Sequence, residues 1–139
     1  MIATDRQIRV TKFYDDYDVW TYRQIVQFLK LATHWSDKRT VKQIVNAIAN
    51  STATYIAYSG TEIVGFGRVV SDRVHIATLT DICVHPNFYG MAIGTRIVEA
   101  LCQEVPDCEM VLATTSKASD FYLKLGFTEH EYRTLVLRR

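Results

Sequence analysis

The sequence has no long apolar run, few cysteines and almost no net charge, and each of these shortages excludes a class of protein. Its apolar stretches fall far short of the roughly 20 residues that span a bilayer. Asp5 and Arg6 stand where a signal peptide would need apolar residues. We therefore expect no membrane association and a cytoplasmic location. A net charge of only +1 provides no basic field of the kind that nucleic-acid binding usually shows, which argues against an RNA or DNA partner.

The three cysteines, Cys83, Cys102 and Cys108, are an odd number and lack the spacing of metal ligands. Cys83 and Cys102 fall inside apolar stretches, which is typical of reduced cysteines that pack in a core. We therefore predict no disulfide and no metal site.

What the sequence does contain is enough apolar material for a core: 48% of its 139 residues are hydrophobic and 12% are aromatic. That length fits one domain, residues 1–139, and no repeat or low-complexity linker divides it. Alternation predicts a first strand over residues 6–14. Two amphipathic helices follow, and each begins with the form of a capping box, Thr21 with Gln24 and then Thr40 with Gln43.

Further along, the pattern predicts strands over residues 55–58, 63–70 and 74–84, a helix after residue 92 and a short strand over residues 110–114. A last helix ends at Gly126 in the left-handed stop position, and residues 132–137 form a closing strand. The predicted order is β-α-α-β-β-β-α-β-α-β. This indicates an α/β (α+β) fold with one mixed sheet and helices on both faces.

The most informative stretch is residues 80–101, TDICVHPNFYGMAIGTRIVEAL, which reads as strand, loop and helix. Ile93, Ile97 and Leu101 recur every four residues like a buried helical stripe. The start of such a helix has N–H groups without intrahelical partners and the positive end of the helix dipole, so anions bind there. Gly90 and Gly94 remove side chains where a phosphate would approach the backbone.

At these residues the sequence resembles the GNAT superfamily of acyl-CoA-dependent N-acyltransferases. The family's Q/R-x-x-G-x-G/A loop, which cradles the coenzyme A pyrophosphate, aligns with residues 89–94, here called the pyrophosphate loop. Tyr89 replaces the usual Gln or Arg, and Ala92 replaces the first glycine. A second segment, residues 118–127 (ASDFYLKLGF), looks like the family's A-x-x-F-Y-x-K-x-G-F pattern. The resemblance covers roughly the C-terminal half, from Ile63 onward.

The resemblance implies a single GNAT domain with a mostly antiparallel sheet and acetyl-CoA as the acyl donor. The fourth and fifth strands would splay apart, and the backbone of Ile82 and Val84 would pair with the pantetheine arm. An N–H of Ile82, Cys83 or Val84 would face the thioester carbonyl; plain core packing is the alternative for these side chains. The residues implied in binding the donor are Ile82, Cys83, Val84, Tyr89, Gly90, Met91, Ala92, Ile93, Gly94 and Thr95.

The resemblance also implies catalytic residues. Tyr122 matches the family tyrosine whose hydroxyl lies near the thioester sulfur, so it is expected to protonate the leaving thiolate; packing on its own helix is the alternative. Asp81 precedes the pantetheine-binding positions where several relatives have an acidic pair. It is expected to polarise a water or hold the ammonium substrate, or else to accept N–H groups at a strand bulge.

The acceptor site is expected where the loop between the first two helices covers the cleft. Trp35 in that loop and Trp20 near the start of the first helix are the substrate-binding candidates, with Asp81 and the acidic run Asp15, Asp16 and Asp18 nearby. Aromatic faces and carboxylates suit a small amine cation. Core packing and a solvated turn are the alternatives.

Three functions remain open from the sequence. The first is direct transfer of an acetyl group from acetyl-CoA to the primary amine of a small molecule in a ternary complex. The second is acetylation of protein N-termini or lysines, and the third is a non-catalytic coenzyme A-binding sensor. Because homodimers are common in such folds, the resemblance also raises a homodimer as an expectation.

Overall fold

The computed structural model describes residues 7–14 and 19–139. Its strands are β1 (Ile8–Phe13), β2 (Ala53–Ser59), β3 (Glu62–Ser71), β4 (Ile76–Val84) and β5 (Glu109–Val111). Its α-helices are α1 (Val19–Ala32), α2 (Val41–Ala49), α3 (Ile93–Glu104) and α4 (Ser116–Lys124), with short 3-10 turns at Ser36–Lys38 and Pro86–Phe88. Asp5, Arg6 and the predicted acidic turn at Asp15, Asp16 and Asp18 lie outside the described residues.

The five strands form one sheet in the order β1-β2-β3-β4-β5. The first four strands are antiparallel neighbours, and β5 pairs parallel with β4. The predicted mixed, mostly antiparallel sheet is therefore confirmed. The β2–β3 hairpin turns at Gly60, whose φ of 62° lies in the left-handed region that favours glycine.

Helices pack on both faces of this sheet, as predicted. Neighbouring residues of a strand face opposite sides, so Ile56 and Ile63 join the core under α1 and α2, while Ala57 and Val64 join the core under α3. Gly67 lets α3 approach closely, because a Cβ there would stand 2.8 Å from the Ile97 side chain.

Local signals set two helix ends as predicted. The Thr40 side chain accepts from the Gln43 N–H, and the Gln43 side chain accepts from the Thr40 N–H, which completes the capping box of α2. Gly126, with a φ of 100°, ends α4, and the Phe127 N–H donates to the Tyr122 carbonyl at 3.1 Å.

The predicted start of α1 at Thr21 is wrong, since the helix begins at Val19 and Thr21 lies in its first turn. Tyr22 is buried on the same stripe as Ile25 and packs edge-on against Phe13, with ring centres 5.3 Å apart. The helix thus extends two residues upstream of Thr21, and the buried stripe of α1 begins at Tyr22.

The predicted closing strand over residues 132–137 is also wrong, because this segment forms no strand and its side chains are exposed. A strand needs a neighbour with free backbone groups along its length. β5, the outermost strand, is only three residues long and ends at Val111 rather than at residue 114. It offers too short an edge for six residues to pair with.

Candidate active site

The two motif segments meet in one cavity of about 480 Å³, which we call the motif cavity. Its walls are the end of β4, the loop before α3 with the first turn of that helix, one face of α4, and the end of α1 with the segment that follows it. The lining residues are Ala32, Thr33, His34, Trp35, Ile82, Cys83, Val84, Phe88, Tyr89, Gly90, Ala92, Ile93, Gly94, Ala118, Phe121 and Tyr122. A larger groove of about 720 Å³ is lined by residues such as Arg9, Ser59 and Arg96 and by no residue of either motif segment.

The wall formed by β4 is open on one side, because β5 pairs with β4 only as far as Thr78. Among residues 7–14 and 19–139, β4 has β3 as its one strand partner beyond that point. The His85 N–H donates to the Val64 carbonyl at 2.8 Å, and alternation along the strand turns the Val84 N–H towards the open side. The same alternation predicts this orientation for Ile82. The opening thus presents backbone donors along the end of β4.

A bulge in β4 lies beside this opening. Arg68 of β3 pairs with Thr80 and Phe66 pairs with Cys83, so Gly67 stands opposite two residues, Asp81 and Ile82. Asp81 has a φ of 61°, a left-handed conformation that is uncommon for a residue with a side chain. The bulge predicted as one alternative for Asp81 is therefore present.

The pyrophosphate loop leads into α3 through two left-handed residues, Gly90 with a φ of 81° and Ala92 with a φ of 60°. The first intrahelical bond runs from the Arg96 N–H to the Ala92 carbonyl at 3.1 Å. The N–H groups of Ile93, Gly94 and Thr95 precede it and have no intrahelical acceptor, and the Ala92 side chain has no polar atom to cap them. The helix start is therefore equipped to bind an anion.

Tyr122 stands in the α4 wall between two aromatic rings. Its ring centre lies 4.9 Å from that of Phe121 and 5.7 Å from that of Phe127, both in edge-on geometry. Burial, and after it the electrostatic effect of nearby Cys83, raises the pKa of the Tyr122 hydroxyl. The phenol is therefore protonated at neutral pH and has a proton to donate.

Cys83 is the one thiol that lines the motif cavity. Burial, followed by the charge of Asp81, raises the pKa of this thiol well above its ordinary value. A thiol nucleophile needs a lowered pKa to act as a thiolate at neutral pH. Cys83 is therefore poorly suited to covalent catalysis.

Asp81 does not line the motif cavity. Its carboxylate accepts from Arg68 Nε at 2.7 Å and from Arg39 Nη1 at 3.1 Å, both through Oδ2, and from the Thr80 hydroxyl at 3.3 Å through Oδ1. Its side chain is only 8% exposed. The carboxylate is thus occupied by two guanidinium groups.

A family model described as "Acetyltransferase (GNAT) domain" matches residues 50–129, more than half of the chain. That range contains the β4 bulge, the pyrophosphate loop and α4. The chain belongs to the GNAT family.

Several relatives of this GNAT chain carry acetyltransferase names. An uncharacterized N-acetyltransferase of Pyropia yezoensis, ycf52, is 32% identical over 97 residues, 65% of this chain and 56% of the relative. The chain thus spans about half the length of that relative.

Solved structures show the same fold. A GNAT family acetyltransferase from Streptococcus pneumoniae superimposes with a TM-score of 0.80 at 19% identity, over 96% of this chain and 98% of that chain. AAC(6')-Iy, solved in complex with the bisubstrate analog CoA-S-monomethyl-acetylneamine, superimposes with a TM-score of 0.76 at 15% identity, over 96% of this chain and 99% of that chain.

Most of the residues predicted for the GNAT site line the motif cavity. Tyr122 and Trp35 do so, as do eight of the ten predicted donor-binding residues; Met91 and Thr95 do not. Neither does Trp20, whose side chain is 66% exposed near the start of α1. The functional roles of all these residues stay predictions.

Three aromatic or basic residues of the cavity wall have no role in the sequence-based prediction. Phe121 lies on α4 and Phe88 in the turn before the pyrophosphate loop, and both are part of the wall. His34, which follows α1, lines it as well. Their aromatic and basic character was visible in the sequence, but nothing in the spacing indicated which side chains face the cavity.

Within residues 7–14 and 19–139, no group of three or more His, Cys, Asp or Glu side chains is arranged to hold a metal ion. In the same part of the chain, every helix is too short or too polar to cross a bilayer.

Proposed function

We propose that this GNAT protein transfers the acetyl group of acetyl-CoA to a primary amine by direct attack in a ternary complex, without an acetylated enzyme intermediate. The acceptor we propose is the amine of a small molecule. The observation that carries the proposal is the meeting of the open β4 edge, the pyrophosphate loop and Tyr122 in one cavity. The AAC(6')-Iy complex, in which a similar fold is bound to a coenzyme A conjugate of an amine, supports it.

On the donor side, the free N–H groups at the start of α3 would bind the pyrophosphate. Gly94 lets the Phe121 ring pack closely against the start of α3, since a Cβ there would stand 3.2 Å from that ring. The backbone of Ile82 and Val84, at the open edge of β4, would hold the pantetheine arm as an added strand. Donor binding by Met91 and Thr95 is part of the same proposal and would act through the backbone of the loop.

The chemistry requires an uncharged amine, stabilisation of the negative charge that develops on the thioester oxygen, and a proton for the departing thiolate. An N–H of Ile82, Cys83 or Val84 would stabilise the oxygen, and the protonated Tyr122 would supply the proton. Cys83, a protonated thiol, would remain a bystander. This assignment fits direct transfer. The bond from the amine nitrogen to the carbonyl carbon forms and the carbon–sulfur bond breaks. The nitrogen releases one proton to water, and Tyr122 gives its proton to the sulfur and regains one from water.

On the acceptor side, Trp35 and His34 form the wall near the end of α1. The Trp35 ring would pack against the body of the amine. Trp20, near the start of the 14-residue α1 and outside the motif cavity, would not contact it. The paired state of Asp81 favours a structural role for its carboxylate over the removal of a proton from the amine. We further propose that the protein is cytoplasmic, that residues 1–139 form one domain, and that the protein is a homodimer.

The experiment that tests this function is isothermal titration with acetyl-CoA, followed by a free-thiol release assay with polyamines, aminosugars, arylalkylamines and amino acids. We expect binding, and thiol release that requires one class of amine. Binding without release for any amine would contradict the small-molecule acceptor and point to a protein acceptor or a sensor. The absence of binding would contradict the donor assignment and indicate that Tyr89 and Ala92 mark a loop that has lost coenzyme A.

A further inference from the structure

Arg39 lies between Trp35, in the wall of the motif cavity, and Asp81, in the bulge of β4. Its guanidinium carbon stands 4.4 Å from the centre of the Trp35 ring. Its Nη1 donates to Asp81 Oδ2 at 3.1 Å. A planar guanidinium can stack on an aromatic face and bond a carboxylate with its edge at the same time. Arg39 therefore connects the acceptor-side wall to the bulge of β4.

The β4 end of this connection is held independently of Arg39. Asp81 is bonded to Arg68 at 2.7 Å, and Arg68 Nη1 donates to the Ser51 hydroxyl at 3.3 Å. Arg68 is on β3, so these bonds tie Asp81 to the centre of the sheet. Asp81 is thus a fixed anchor next to Ile82 and the open edge of β4.

The backbone at the Trp35 end is held by the end of α1. The hydroxyls of Thr33 and Ser36 both donate to the Leu29 carbonyl, at 2.7 Å and 3.2 Å. These bonds hold the backbone but not the Trp35 side chain, which packs against the core under α1 and α2. Trp35 is half-buried, and the stacked guanidinium of Arg39 covers its ring.

We propose that Arg39 is a positioning residue for the acceptor: anchored on Asp81, it fixes the Trp35 ring in the wall of the motif cavity. This inference rests on the proposed function, in which Trp35 contacts the amine. It gives Asp81 a defined task in the site without direct contact with substrate. Loss of Arg39 leaves the pyrophosphate loop intact, so acetyl-CoA binds normally while the acceptor meets a loosened wall.

The kinetic test compares Arg39→Gln with the wild type. We expect the KM for the best amine of the panel to rise about tenfold, the size of effect that a stacked cation typically has, with little change in acetyl-CoA affinity. Lys38→Gln is the matched control, since Lys38 is exposed on the neighbouring position of the same 3-10 turn. An unchanged KM in Arg39→Gln would overturn the proposal.

A double-mutant cycle separates positioning from a general loss of stability. If Arg39 acts through Trp35, then Arg39→Gln adds little to the KM of a Trp35→Ala variant. If the two substitutions instead raise KM independently, so that their fold-changes multiply in the double variant, the proposal is overturned. Arg39→Lys, which keeps the positive charge, guards against failure of Arg39→Gln to fold and should give a smaller rise in KM.

A readout without turnover makes the inference testable even if the proposed function fails. In a Trp20→Phe background Trp35 is the single tryptophan, because the sequence contains two. We expect acrylamide to quench the Trp35 fluorescence more strongly in Arg39→Gln than in the Trp20→Phe parent, and to the same extent in Lys38→Gln as in that parent. Quenching in Arg39→Gln that equals quenching in Lys38→Gln would overturn the positioning role. A wild type without turnover would contradict only the proposed function.

Discussion

Gly94 lies against the ring of Phe121, so that a Cβ on Gly94 would stand 3.2 Å from Phe121 Cζ. The two residues come from the two motif segments, the pyrophosphate loop and α4. Their contact brings the start of α3 next to the helix that carries Tyr122. The proposed donor-binding wall and the proposed proton donor are therefore held together by direct packing.

Replacing Tyr122 by Phe tests the proton donor. The variant keeps the ring contacts with Phe121 and Phe127 and loses only the hydroxyl. We expect kcat to fall by about 10²- to 10⁴-fold, the usual contribution of a positioned acid, while acetyl-CoA affinity in titration stays the same. Tyr132→Phe, at an exposed tyrosine outside the cavity, is the control. A wild-type kcat in Tyr122→Phe would contradict the proposed proton donor and leave Tyr122 with a packing role only.

The pH profile gives a second test of Tyr122. The raised pKa means that the hydroxyl is protonated, and able to donate, at every pH below the ordinary tyrosine value of about 10. Its contribution is lost only as the pH rises through the raised pKa. We expect kcat/KM for the amine to rise with pH as the amine loses its proton, without a descending limb below about pH 10. A descending limb near pH 8 in wild type would contradict this assignment of the acid.

Replacing Cys83 by Ala tests direct transfer. Since burial keeps this thiol protonated, we expect activity within about tenfold of wild type, the difference coming from lost packing. Intact-protein mass spectrometry after mixing with acetyl-CoA alone should show no acetylated enzyme. A loss of activity of 10³-fold or more, together with an acetylated Cys83 in the wild type, would establish a covalent route instead.

Replacing Ala92 by Gly tests the altered loop. Ala92 has a φ of 60°, and a left-handed residue with a Cβ costs roughly 1–2 kcal/mol. The added freedom of glycine in the unfolded chain offsets roughly 0.4–1 kcal/mol of this. We therefore expect a gain of between zero and about 1.6 kcal/mol in the free energy of unfolding. We also expect a lower Kd for acetyl-CoA, because no side chain would then stand where the pyrophosphate approaches the backbone.

The matched control for Ala92→Gly is Ala47→Gly, inside α2. There the residue is helical, so glycine should destabilise the protein by about 1 kcal/mol. Denaturant unfolding of both variants checks the opposite signs. Equal destabilisation by the two substitutions would mean that Ala92 carries no relievable strain.

How far the sequence alone predicts this site depends on the kind of residue. Gly90, Gly94 and Tyr122 belong to short motifs in which each position has a local role, and all three line the motif cavity. The position of Trp35 followed from the order of the helices and the resemblance. Trp20 was placed by proximity in sequence alone, and it does not line the cavity.

The sequence by itself determined three local features: the cap of α2 at Thr40 and Gln43, the end of α4 at Gly126, and the strand, loop and helix around the pyrophosphate loop. These features depend on backbone groups a few residues apart. Tertiary structure alone decided that Arg39 reaches Asp81, that β5 stops pairing with β4 at Thr78, and that residues 132–137 form no strand. Such contacts join segments far apart in the chain. Local sequence patterns do not predict them, because they depend on how the whole sheet and its helices pack.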